Sequence, residues 1–297
     1  RKKMCNMKKI IFKGCGTAIA TPFDEHGVNY AEFEKLLEFQ VKNGADAIIV
    51  CGTTGESSTM TDSERKETIK FAIDTIDGRI PVIAGTGSNC TASAIELSKF
   101  AANVGADGIL VVTPYYNKAT QNGLVEHYKA IASAVPNTPI IMYSVPSRTG
   151  VNILPKTCLE LSKIQNIVAI KEASGNLSQV AEIAALCGDN LNIYSGNDDQ
   201  VLPVLSLGGL GVISVFSNIA PQKFADMIKN FWDGKIKEAT NIQLESLQLI
   251  NALFCEVNPI PVKAALNLMG YDFGTPRLPL TPISPTNLEM LKIAMKP

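Results

Sequence analysis

The sequence predicts an α/β protein: a (β/α)8 barrel of the TIM type with a small C-terminal helical appendage. Three observations carry that prediction. Eight short apolar runs rich in isoleucine and valine recur along the chain, without strict alternation, as parallel strands buried on both faces require. Amphipathic stretches of helical length separate them. The repetition runs from residue 16 to residue 216 and then stops, a span that suits one barrel.

In order, the runs are GTAIATP (16–22), ADAIIVCG (45–52), IPVIAG (80–85), ADGILVVTP (106–114), PIIMYSVP (139–146), IVAIKE (167–172), LNIYSG (191–196) and GVISVF (211–216). Helix-like segments between them include residues 29–44, 61–78 and 91–105. Thr61 or Asp62 suits the N-cap of the second, and Gly44, Gly78 and Gly105 stand where helices stop. An open doubly wound sheet is the competing arrangement. It places a G-x-G-x-x-G turn ahead of its first helix, and GCGTAI does not supply one. The lone GTGSN (85–89) reads as a tight turn rather than a phosphate cradle. Beyond Asp233 the strands cease, and residues 235–254 and 261–270 look helical. We therefore assign 10–233 to the barrel and 234–297 to a C-terminal helical region.

Composition narrows the function. Among 297 residues, 46% are hydrophobic and 19% charged, with a net charge of −1. That balance gives no electrostatic reason to expect nucleic acid or a membrane surface as partner. No stretch reaches transmembrane length. The seven cysteines are scattered, odd in number and without a C-x-x-C pair, which points to reduced thiols in the cytoplasm. With only His26 and His127 and no histidine–cysteine cluster, no metal site is expected, and a Ser-His-Asp triad would have to use one of these two. The basic start RKKMCNMKKIIF is too short in its apolar part for a signal peptide. Because it opens on Arg1, we expect the first few residues to be partly foreign to the natural protein.

Barrel enzymes place their chemistry at the C-terminal ends of the strands. By that rule Thr53, Thr54 and Glu56 follow the second strand, Tyr115 and Tyr116 the fourth, and Tyr143 and Arg148 the fifth, while Lys171 ends the sixth. Tyr143 and Lys171 stand about one βα unit apart, so they end adjacent strands. A lysine closing a buried run is an unusual choice. Desolvation penalises its ammonium, and the neutral amine condenses with a ketone or keto acid to a Schiff base. The competing reading is a lysine that snorkels or pairs with Glu172. Tyrosine hydroxyls in a relay can move the protons that imine formation requires, or the rings can simply pack the barrel mouth. Arg148 offers a two-pronged donor for a carboxylate, or is an ordinary surface arginine. The GTTGE turn (52–56) presents backbone N–H groups and two hydroxyls that suit a carboxylate. Glu56 reads as a helix-start carboxylate or a structural hydrogen-bond partner, not a catalytic group.

Together, CGTTGESSTMT, IAGTGSN, VTPYYNK, VPSRTG, VAIKEASGN and YSGNDDQ resemble the dihydrodipicolinate synthase / N-acetylneuraminate lyase family. The resemblance runs from about residue 12 to residue 280, with the motifs in the family's order. It implies a class I aldolase-like lyase in which Lys171 forms an imine with pyruvate. The resulting enamine would attack the aldehyde of L-aspartate 4-semialdehyde, in lysine (diaminopimelate) biosynthesis. Thr53, Tyr143 and Tyr116 match the family's proton relay, with Tyr116 supplied by a neighbouring subunit. Thr54 matches the position that holds the pyruvate carboxylate, and Arg148 the one that meets the semialdehyde's carboxylate. Gly196 and Ile213 match positions lining the pyruvate pocket. The resemblance further implies no metal or organic cofactor, and a homotetramer built as a dimer of tight dimers with Tyr115 and Tyr116 at the interface.

Two departures stand out. Ser144 replaces the family's usual asparagine after the tyrosine. Ser93 stands where feedback-sensitive members carry the glutamate that receives the inhibitor lysine, and Asp62 and Arg65 replace two histidines, while Ser57, Asn89 and Tyr115 remain. A buried ammonium without its carboxylate partner is costly, so weak or absent inhibition by lysine is expected. The rivals are a sugar-acid lyase of the same family, such as N-acetylneuraminate lyase or a 2-keto-3-deoxy sugar acid aldolase, and a non-catalytic binding protein on a decayed barrel. Arg148 and the tyrosine pair favour an aldehyde that carries a carboxylate. Retention of Lys171, Tyr143, Thr53 and Arg148 together argues against decay.

Overall fold

The computed structural model describes residues 8–296, so the expectation for the first few residues lies outside the described part. Eight strands carry the fold: β1 (Gly14–Ala18), β2 (Ala47–Val50), β3 (Val82–Gly85), β4 (Gly108–Val112), β5 (Ile140–Ser144), β6 (Ile167–Glu172), β7 (Asn192–Ser195) and β8 (Gly211–Ser214). They close into one barrel in which chain order is spatial order. The pairings β1–β2 and β3 through β8 are parallel. Nearly every strand residue is buried, which is why the sequence shows continuous apolar runs rather than alternation.

The helices follow: α1 (Tyr30–Lys42), α2 (Asp62–Ile76), α3 (Thr91–Asn103), α4 (Gln121–Ala134), α5 (Pro146–Thr149), α6 (Pro155–Leu161), α7 (Leu177–Cys187), α8 (Val201–Ser206), α9 (Pro221–Trp232), α10 (Ile236–Leu253), α11 (Ile260–Leu268) and α12 (Pro285–Ala294). Of the two candidate caps of α2, Thr61 is the N-cap. Its hydroxyl accepts from Glu64 N while the Glu64 carboxylate accepts from Thr61 N, a reciprocal capping box. The sixth run is a strand over the residues expected, whereas the first run begins at Gly14 and ends at Ala18. The cause is local. Ala20 N–H donates to the Asn218 side chain and the Thr21 hydroxyl to Gly55 O, so the chain leaves the sheet before Pro22.

Packing divides the chain into two compact units. One holds Ile83–Val212 with the residues up to Lys13. Its core is built from β4, β5 and β6, with the buried Tyr128 hydroxyl donating to Val111 O at 2.8 Å. Tyr194 stacks on Phe12 and donates to its carbonyl at 2.6 Å. The other unit holds Gly14–Val82 and Ile213–Pro297. There α9 packs on β1, and Phe216 stacks on Phe224 with ring centres 4.4 Å apart. Buried Gln40 accepts from Thr17 and donates to the carbonyls of Ser217 and Asn218, which settles its polar atoms inside the apolar layer.

Candidate active site

In the first unit, β5 and β6 run side by side with Tyr143 opposite Lys171 and Ser144 opposite Glu172. Successive strand residues face opposite sides, so the two pairs belong to different environments. Lys171 is 6% exposed, and its Nζ lies 4.4 Å from the centre of the Tyr143 ring. Among the described residues the amine has neither an ion pair nor a hydrogen bond. Glu172 is not its partner. That carboxylate turns to the other face, where Oε1 accepts from Ser174 N at 3.1 Å and from Gln179 Nε2 at 3.0 Å. Burial raises its pKa above the ordinary carboxylate value, and these hydrogen bonds oppose the shift.

Gly196 follows β7 and donates its N–H to Glu172 O at 2.7 Å. A Cβ at this position would lie 2.6 Å from Ala173 Cβ and 3.1 Å from Lys171 Cε. Glycine is therefore what leaves room beside the lysine side chain.

Arg148 lies in α5, and its side chain is exposed. Gly150, at φ 72°, ends that turn of helix, and Thr149 closes it with hydrogen bonds to Val145 O and Val151 O. The segment is anchored through Ser144. Its hydroxyl donates to Asn152 Oδ1 at 3.0 Å and accepts from Ile153 N at 3.1 Å. Asn152 and Gln179 exchange two further hydrogen bonds, which link the segment to Glu172. The serine thus holds the arginine's loop with a hydroxyl in place of the amide expected there.

Tyr115 is partly exposed, and Tyr116 is 91% exposed at φ 73°, in the left-handed region that non-glycine residues seldom adopt. The backbone here is fixed by Asn117, whose N–H donates to Tyr115 O and whose amide donates to Asn89 O. Among the described residues, Tyr116 makes no hydrogen bond or ring contact with Lys171 or Tyr143.

The second unit carries Thr53, Thr54 and Ile213. Ile213 is buried in β8, and Thr53 is half-buried in the turn after β2, its carbonyl accepting from Glu56 N. Thr54 is 2% exposed, and its Oγ1 accepts a hydrogen bond from Asn258 Nδ2 at 2.9 Å. Glu56 is structural, as its position suggested. Its Oε1 pairs with Lys263 Nζ at 2.7 Å, both side chains being 1% exposed, and its Oε2 accepts from Arg277 N. Burial lowers the Lys263 amine from its usual range, while Glu56 opposes that shift. Arg277 lies over the Phe23 ring and forms a two-pronged pair with Glu64. Sequence reasoning missed Asn258, Lys263 and Arg277. A signal did exist for one of them: Lys263 interrupts the apolar stretch IPVKAAL much as Lys171 closes IVAIK.

A buried, unpaired amine beside a tyrosine at the C-terminal end of barrel strands defines a class of lyase that works on carbonyl substrates through a lysine. Residues 11–297 match the model of the dihydrodipicolinate synthetase family, and the chain belongs to that family. It is 58% identical over 286 residues, 96% of each chain, to a 4-hydroxy-tetrahydrodipicolinate synthase of Clostridium novyi (strain NT). It matches the crystal structure of dihydrodipicolinate synthase from Aquifex aeolicus with a TM-score of 0.93 and 46% identity, covering 96% of this chain and 97% of that one. The chloride-inhibited dihydrodipicolinate synthase of Acinetobacter baumannii complexed with pyruvate matches with a TM-score of 0.93 and 43% identity, covering 96% and 98%.

Proposed function

We propose that this chain condenses pyruvate with L-aspartate 4-semialdehyde through a Schiff base on Lys171, the reaction of a 4-hydroxy-tetrahydrodipicolinate synthase in lysine biosynthesis. The observation that carries the reading is the Lys171 amine, buried without a partner beside Tyr143 and next to the space that Gly196 leaves. The amine attacks C2 of pyruvate, and the carbinolamine loses water to give the imine. Loss of a methyl proton gives the enamine, whose carbon attacks the aldehyde. The semialdehyde's amine then closes the ring on C2 and displaces Lys171. Tyr143 and Thr53, with the partner's Tyr116, are the relay that moves the protons. Thr54 holds the pyruvate carboxylate, Arg148 receives the carboxylate of the incoming aldehyde, and Ile213 and Gly196 line the pyruvate pocket. The protonated imine is itself the electron sink, so the chemistry calls for no metal or organic cofactor.

The assembly proposed is a tetramer of two tight dimers, supported by the exposure of Tyr116 and Tyr115. Residues 10–233 serve as the catalytic barrel and 234–297 as its helical region. Among the described residues no helix is long and apolar enough to cross a membrane. The free cysteines, four of them buried, suit a reducing cytoplasm. With Ser93 at the regulatory position, millimolar lysine should leave the rate nearly unchanged in a coupled assay, and half-inhibition below that range would overturn this part.

Borohydride reduction in the presence of pyruvate, read by intact-protein mass, tests the central step. A pyruvate adduct on the parent and none on Lys171→Ala is the expected result. No adduct on folded parent protein would remove the mechanism.

A further inference from the structure

The turn that carries Thr54 is held from far along the chain. Asn258 sits between α10 and α11, and its amide reaches Thr54, 204 residues away, with both residues buried. The direction of that bond matters. A threonine hydroxyl has one proton to give and two lone pairs to receive with. Here the oxygen receives the Asn258 N–H, and among the described residues the hydroxyl proton has no acceptor. A buried hydroxyl proton with nothing to donate to is costly unless a ligand supplies the acceptor. On the other side of the amide, Asn258 Oδ1 is buried and unpartnered.

We propose that Asn258 is a positioning residue: by donating to Thr54 Oγ1 it leaves the threonine proton free to donate to the carboxylate of pyruvate. The inference rests on the reading that Thr54 holds that carboxylate. Its chemistry is simple. If the amide oxygen faced Thr54 instead, the hydroxyl would give its proton to the amide and present a lone pair to an anion. Donor and acceptor at this one atom therefore decide whether the turn attracts a carboxylate or repels it. The adjoining pair of Glu56 with Lys263 keeps the same turn in place, so the amide acts on a fixed target.

The substitution Asn258→Asp has nearly the same shape but no N–H to give. Near neutral pH its carboxylate should draw the Thr54 proton toward itself and away from the substrate. We expect the KM for pyruvate to rise about tenfold or more, with kcat much less affected, since the lost interaction is with bound substrate in ground and transition states alike. As pH falls and the new aspartic acid takes up a proton it becomes a donor again, so the ratio of variant to parent KM should shrink. A purely structural role would show none of that recovery. The background Thr54→Val separates the two readings. If Thr54→Val leaves the KM for pyruvate unchanged, the assignment of the carboxylate to Thr54 is wrong. If Thr54→Val raises it and Asn258→Asp does not, the positioning role alone is wrong. When both raise it, Asn258→Asp should add little in the Thr54→Val background, and full additivity would overturn the proposal. Should Asn258→Asp not fold, Asn258→Leu, of similar size and with no donor, carries the same KM comparison and the same cycle.

Discussion

Gly196 is the residue on which the shape of the lysine's surroundings turns. A methyl group there would press on Ala173 Cβ at 2.6 Å and on Lys171 Cε at 3.1 Å, with Glu172 O at 3.1 Å on the other side. Two of these neighbours cannot yield easily, because Ala173 follows β6 and the carbonyl already accepts the Gly196 N–H. Gly196→Ala should therefore displace the lysine, cut imine formation about tenfold or more, and destabilise the fold by about 1–3 kcal/mol of overpacking. Borohydride trapping and denaturant unfolding would measure the two effects. Lys171 could be read from the sequence because a lysine that ends a strand of Ile and Val is anomalous without any knowledge of its neighbours. Lys263 is anomalous in the same way, but neither Asn258 nor Lys263 carries a cue to its partner. Their bonds to Thr54 and Glu56 span 204 and 207 residues, a pairing that only the folded chain brings about.

At the scale of elements, the strands were legible wherever burial alone sets their ends, as in β6. They were less so where side chains intercept the backbone, as Asn218 does after β1. The helix α12 lies within the expected C-terminal helical region, where only 235–254 and 261–270 stand out as helical in the sequence. Yet Pro285 at its first turn and Ser284 as N-cap are the ordinary signs of a helix start. The start of α2 gives a prediction. Glu64 closes the capping box and pairs with Arg277 through both oxygens, which holds its carboxyl down at about 2 against an ordinary 4.5. A depressed acid stabilises the fold in its charged form. The contribution is complete above the unfolded value, declines as pH falls below 4.5, and is gone once pH passes below about 2. Both groups are roughly a quarter exposed, so screening trims the gain to about 1–2 kcal/mol at neutral pH. Glu64→Gln should unfold earlier in urea than the parent at pH 7, and the gap should narrow steadily on acidification. A gap that stays constant with pH would show that the ion pair is not its source.

For the whole molecule, the telling observation is that one member of the proposed relay stands exposed at the surface of its own chain. Tyr116 is 91% exposed and its backbone is held at φ 73°, an arrangement that presents a large aromatic side chain outward. Leaving such a ring in water forgoes its burial, and the left-handed backbone adds a cost of its own. Both are offset if the ring enters a second copy and completes that copy's relay. An interface of this kind is two-fold and reciprocal, each subunit giving the tyrosine it cannot use itself. That reciprocity has a measurable consequence. Lys171→Ala leaves a chain with a usable Tyr116 and no nucleophile, and Tyr116→Phe leaves one with a nucleophile and no relay hydroxyl. Each should be nearly inactive alone. In a mixed dimer, the site that keeps Lys171 receives an intact Tyr116 from its partner, while the other site is dead. Random pairing makes about half of the dimers mixed, so co-refolding equal amounts should restore about a quarter of the parent activity. If Tyr116 instead acts within its own subunit, no combination of the two variants can rebuild a complete site. The mixture would then stay at the mean of its inactive parents, at every protein concentration.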